Sequence, residues 1–107
     1  VHEAALANGL PEVTGLRTRA AERAHYRVAT GDPRFAFVAL HCRIGPGRGV
    51  DAKRSFIAEL LDAAERSLAD SPLAIAWSIE LTELDPELRI NHNGVRAAVH
   101  AAAEGSG

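Results

Sequence analysis

A single cysteine stands among the 107 residues, so no internal disulfide can staple the chain and the fold does not depend on oxidation. That residue, Cys42, lies in an apolar run and reads as a small core residue rather than a reactive thiol. No apolar stretch approaches the ~20 residues that span a bilayer. Val1 to Leu10 has neither the basic start nor the continuous apolar core of a secretory signal, so a soluble cytoplasmic protein is expected. An excess of basic residues is also missing: 12 Lys and Arg face 14 Asp and Glu, a formal charge of −2, which argues against general affinity for nucleic acid or anionic membrane. A local basic patch stays open. The five histidines show no metal-ligand spacing, no HExxH occurs, and no Gly-x-Ser-x-Gly elbow marks a serine nucleophile.

What is present fits one domain over residues 1–107, with an apolar fraction of 47% and 24% charged residues. So short a chain buries a smaller share of its surface than a large domain, and assembly is one way to bury more. Val1 to Ala7 has helical composition without a cap before it, and Asn8-Gly9 reads as a helix stop. Thr14 to Val28 allows two short strand pieces, around Leu16–Arg19 and His25–Val28, before a Gly31-Asp32-Pro33 turn. Phe35 to Ile44 alternates as a strand, with Ala36, Val38, Leu40, Cys42 and Ile44 on an apolar face that should meet the core. After a glycine-rich loop, Asp51 is placed to cap a helix over about Ala52–Ala69, whose Phe56, Ile57, Leu60, Leu61, Ala64 and Leu68 recur at three-to-four spacing. Ala74 to Leu84 alternates again as a strand. Leu88 and Ile90 allow a small strand, Val95 to Ala103 a final helix, and Glu104 to Gly107 a flexible tail. Strand, long helix and strand in this order imply parallel strands joined by a right-handed crossover.

Two places merit a chemical reading. The loop Gly45-Pro46-Gly47-Arg48-Gly49 fails as a phosphate loop, because no Gly-Lys-Ser/Thr closes it, and its glycine spacing fails the dinucleotide fingerprint. Arg48 is therefore either a solvated arginine in a turn or, held at a strand-to-helix junction, a bidentate partner for a carboxylate. Arg17 and Arg19 flank Thr18 and would share one strand face, which is either plain solvated surface or a second cationic group. Asn91-His92-Asn93 reads as a turn with a cap.

In order, the chain carries GLRTR at 15–19, RFAFVALHCRIGPGR at 34–48, the long helix, and AWSIELTELDPELRINHNGV at 76–95. This succession resembles the 5-carboxymethyl-2-hydroxymuconate isomerase family, a branch of the tautomerase superfamily, from Gly15 to about Ala102. The strand ending in Ile-Gly-x-Gly-Arg and the Glu-Leu-x-Pro segment after the last strand carry most of it.

The resemblance implies an α+β fold of tandem β-α-β units, with a mixed four-stranded sheet, two helices on one face and three subunits in a ring. It implies a cofactor-free, metal-free isomerase acting on an unsaturated carboxylated enol in homoprotocatechuate degradation. By motif position, Arg48 and Arg17 would bind the carboxylates of a small-molecule substrate and stabilise charge on oxygen. The family's base is the secondary amine of an amino-terminal proline, suited to the task because burial and nearby cations lower an amine's pKa. Val1 aligns inside the first long helix of the family, so the first strand and its proline are expected to be missing here, a difference of roughly 20–25 residues by typical element lengths. The alternative is a non-catalytic oligomeric domain of the same fold that has lost the base.

Overall fold

The computed structural model describes residues 1–106, with elements in the order helix α1 (His2–Asn8), strand β1 (Phe35–Ile44), helix α2 (Val50–Ser67), strand β2 (Ala74–Glu83) and helix α3 (Gly94–Ser106). Short 3-10 turns lie at Val13–Gly15 and Pro86–Leu88. β1 and β2 pair in parallel, in register from Phe35 opposite Ala74 to Ile44 opposite Glu83. α2 is the crossover between them, as the strand-helix-strand pattern requires. The molecule is thus α+β, and its described residues form one β-α-β unit with α1 packed beside α2. The second β-α-β unit and the further strands that the resemblance implies are not among the described residues, where the sheet has two strands and only parallel pairing.

Period-two burial accounts for both strands. In β1 the even-numbered residues from Ala36 to Ile44 are half-buried, while Phe37, Ala39, His41 and Arg43 are exposed. β2 turns Ile75, Trp77, Ile79 and Leu81 inward in the same way. Against this face α2 lays Phe56, Leu60 and Ala64, each buried and each four residues from the next, one turn apart on a helix. Ala5 of α1 completes the cluster, at 2% exposure, and Leu10, Leu16, Cys42, Ile79 and Leu81 pack around it. The two helices therefore share one face of the sheet. Asn8 fastens them by donating from Nδ2 to Glu59 Oε2 at 2.6 Å.

Helix α1 stops where expected: Gly9 takes the left-handed conformation (φ 81°) and its N–H donates to the Ala5 carbonyl. Four other expectations need correction. Residues 16–34 hold no strand, because among the described residues β1 and β2 pair only with each other and the Arg-rich stretch 17–23 offers no apolar face to dock on the sheet. Helix α2 starts at Val50, with extended Gly49 rather than Asp51 at its N-cap; Asp51 falls in the first turn, where its charge suits the helix dipole. Leu88 closes a 3-10 turn that Asp85 caps through Glu87 N–H, and Leu88 and Ile90, 86% and 91% exposed, form no strand. Helix α3 continues to Ser106, through most of the stretch expected as a flexible tail, whose last residue, Gly107, lies outside the described residues.

A candidate carboxylate-binding site

The segment between α1 and β1 sets the site. Leu10 and Leu16 are drawn onto the core beside Phe56 and Leu60, which leaves the residues between and after them on the rim. From the other side, the loop after β1 brings Arg48 back to this segment. Its Nη2 donates to the Leu10 carbonyl at 3.3 Å and its Nη1 to the Gly45 carbonyl at 3.2 Å. Arg48 is half-buried, so two main-chain acceptors fix a guanidinium that would otherwise sample many rotamers. Gly47 makes the approach possible: its φ of 112° lies where side-chain-bearing residues are rarely found, and the chain swings there just before Arg48.

Arg17 follows Leu16 and is exposed. Its Nη2 donates to Asn91 Oδ1 at 3.1 Å. Thr18 shares a 2.6 Å hydrogen bond with His2 Nδ1, which returns the segment to the start of α1. Arg17 and Arg48 line one open groove, along with Pro11, Arg43, Arg89 and Arg96. Counted along its whole lining, this groove holds seven arginines against three glutamates, in a chain whose net charge is −2.

Of the groove's arginines, Arg96 forms an ion pair, while Arg17, Arg19, Arg23, Arg43, Arg48 and Arg89 form none among the described residues. Arg34, Arg66 and Arg96 each hold a carboxylate, from Asp32, Asp62 and Glu12. Glu80 is taken by His41 across the strands at 2.8 Å, and Glu83 by Lys53. Among the described residues Arg17 and Arg48 make only neutral contacts, to an amide oxygen and to carbonyls. Each keeps its full positive charge and free N–H donors for an anion. Arg19, the other half of the expected pair, lines the same groove.

Sequence reasoning missed four contributors. The carbonyl of Leu10 anchors Arg48, Asn91 anchors Arg17, and Asn93 and Arg96 grip Thr14 and Glu12. Asn93 does cap α3 as its turn reading implied, accepting from Arg96 N–H at 2.9 Å. Nothing local signals the other contacts, which join residues 38 to 84 positions apart. Cys42 faces the core, and its burial pushes the thiol above its ordinary pKa. No group of three His, Cys, Asp or Glu among the described residues is placed to hold a metal, and no helix is long and apolar enough to cross a membrane.

The family model described as 5-carboxymethyl-2-hydroxymuconate isomerase matches residues 1–99. A 5-carboxymethyl-2-hydroxymuconate Delta-isomerase of Escherichia coli is 30% identical over 94 residues, covering 85% of this chain and 74% of that protein. The match takes in both arginine-bearing segments, the β-α-β unit and the start of α3. A family match over nearly all of its length means that this chain belongs to the 5-carboxymethyl-2-hydroxymuconate isomerase family.

Proposed function

We propose that this protein catalyses the isomerisation of an unsaturated carboxylated enol of the 5-carboxymethyl-2-hydroxymuconate type, in homoprotocatechuate degradation, working without a cofactor as a cytoplasmic homotrimer. One observation carries the reading: Arg17 and Arg48, the two arginines in the family's motif positions, line one groove with no carboxylate neutralising either of them. Uncompensated guanidinium groups bind carboxylates as planar forks. The reaction moves a proton between oxygen and carbon along a conjugated system, and negative charge builds on oxygen on the way. Cations already fixed beside that oxygen stabilise it without reorganising. Arg48, anchored by two carbonyls, suits this role, and Arg17, held by one contact at the rim, suits a terminal carboxylate. The proton is carried by a base that is neutral at working pH. The resemblance assigns this to the amine of an amino-terminal proline, and Pro11, although it lines the groove, cannot serve because its nitrogen is a peptide amide.

The test is ketonisation of a 2-hydroxymuconate-type dienol followed by ultraviolet absorbance, beside Arg48→Ala, with binding of cis,cis-muconate measured by calorimetry on the same two proteins. Turnover and binding that both fall at least about tenfold in Arg48→Ala, the weight of one charge-assisted contact, support an isomerase. Arginine-dependent binding without turnover supports a non-catalytic domain of the same fold. Absence of both overturns the reading.

A further inference from the structure

The expected arginines leave one contact without a role. Arg17 lies on an exposed segment with no regular structure beyond the Val13–Gly15 turn, where a long side chain has many rotamers to choose from. Its guanidinium is met by the side chain of Asn91, 74 residues away, with 3.1 Å between Arg17 Nη2 and Asn91 Oδ1. Asn91 belongs to the short connection leading into α3, and that connection is fastened to the Arg17 segment by three further contacts. Asn93 Nδ2 donates to the Thr14 carbonyl at 2.8 Å. Arg96 donates from Nε to Thr14 Oγ1 at 3.3 Å and from Nη2 to Glu12 Oε2 at 2.8 Å. Asn93 also accepts from the Arg96 N–H and so fixes the start of α3. The connection that carries Asn91 is therefore held beside the Arg17 segment by contacts other than the one Asn91 makes.

The chemistry of the contact matters as much as its place. A carboxylate at residue 91 would neutralise Arg17, whereas the amide oxygen of Asn91 occupies one N–H and leaves the charge and the remaining donors of the fork free. Holding the group in advance reduces the rotamer entropy lost when a ligand carboxylate arrives.

We propose that Asn91 is a positioning residue, which holds Arg17 ready for a substrate carboxylate and makes the β2–α3 connection part of the specificity of the site. This rests on the isomerase reading of the groove. The experiment is calorimetric binding of cis,cis-muconate to the full chain, to Asn91→Ala, to Arg17→Ala and to the double variant, with thermal unfolding of each. Asn91→Ala is expected to bind about fivefold more weakly, the net worth of one hydrogen bond, with its melting midpoint unchanged because the side chain is exposed. In the Arg17→Ala background, Asn91→Ala is expected to change binding no further, an interaction that a double-mutant cycle isolates. Wild-type affinity in Asn91→Ala, or an equal further loss in the double variant, overturns the positioning role while leaving the groove reading intact. Muconate binding that is absent from the full chain, or indifferent to Arg17→Ala, overturns the groove reading and this inference with it.

Discussion

At the scale of single residues, partners decide what each charged or reactive group can do. Arg34 is one of twelve basic residues, but its three contacts to Asp32 commit it to the turn before β1. The same contacts hold the Asp32 carboxyl below the ordinary carboxylate range, chiefly through the guanidinium and then through the Arg34 N–H. A carboxyl with a depressed folded pKa stabilises the fold above its unfolded value and loses that contribution as pH falls through the folded one. An NMR titration should therefore place the Asp32 midpoint below about 3.9, and Arg34→Ala should return it towards that value. Cys42 is the opposite case. Burial among Leu81, Ile79 and Phe56 raises its pKa, so at pH 8 it holds less thiolate than free cysteine. Its alkylation by iodoacetamide should be slower than that of a small thiol, and should approach the free rate in urea.

At the scale of elements, legibility followed periodicity. β1 was read to the residue and β2 to within one, because each alternates over ten residues and one face of the alternation is apolar. Helix α2 was equally plain from its apolar stripe, although its first turn was not, since an extended glycine can cap a helix as well as an aspartate can. The two short strand pieces around 16–19 and 25–28 did not form, because alternating residue types suit a strand only if an edge accepts it. Two predictions belong here. Leu60 is 3% exposed at the centre of the helix-sheet contact, and Leu60→Ala should cost about 3 kcal/mol, read from the urea midpoint. Gly47→Ala meets no neighbouring atom within 4 Å, so its penalty is backbone strain alone, about 1–2 kcal/mol. Because Arg48 follows directly, the same substitution should also weaken muconate binding.

At the scale of the whole molecule, the single chain is thinly covered. It exposes 8371 Å², where a folded monomer of this size exposes about 5,800 Å². Its radius of gyration is 17.2 Å, against about 13 Å for a compact chain of this length. Among the described residues four apolar ones are buried, and Tyr26 and Phe37, in edge-to-face contact at 6.2 Å, are each about half exposed on the sheet face turned away from α2. Each strand also has one edge unpaired among the described residues. The excess surface is of the order that obligate subunit interfaces bury. Under the trimer proposal, light scattering after size exclusion should give about three chains per particle, and Phe37→Asp should shift it towards one. A monomeric wild type would refute the trimer.

The amino-acid sequence by itself determined the α+β class, both strands, the crossover helix between them and the two arginines worth examining. The strands and the helix follow from local spacing, which reports which face of an element is apolar, and the two arginines follow from their places in the motifs that resemble the family's. Only the tertiary structure decided that Arg17 and Arg48 line one groove, that both are left without a carboxylate while Arg34, Arg66 and Arg96 are not, and that Asn91 meets Arg17. Charge compensation and side-chain anchoring depend on distances between residues far apart in the chain, and packing sets those distances.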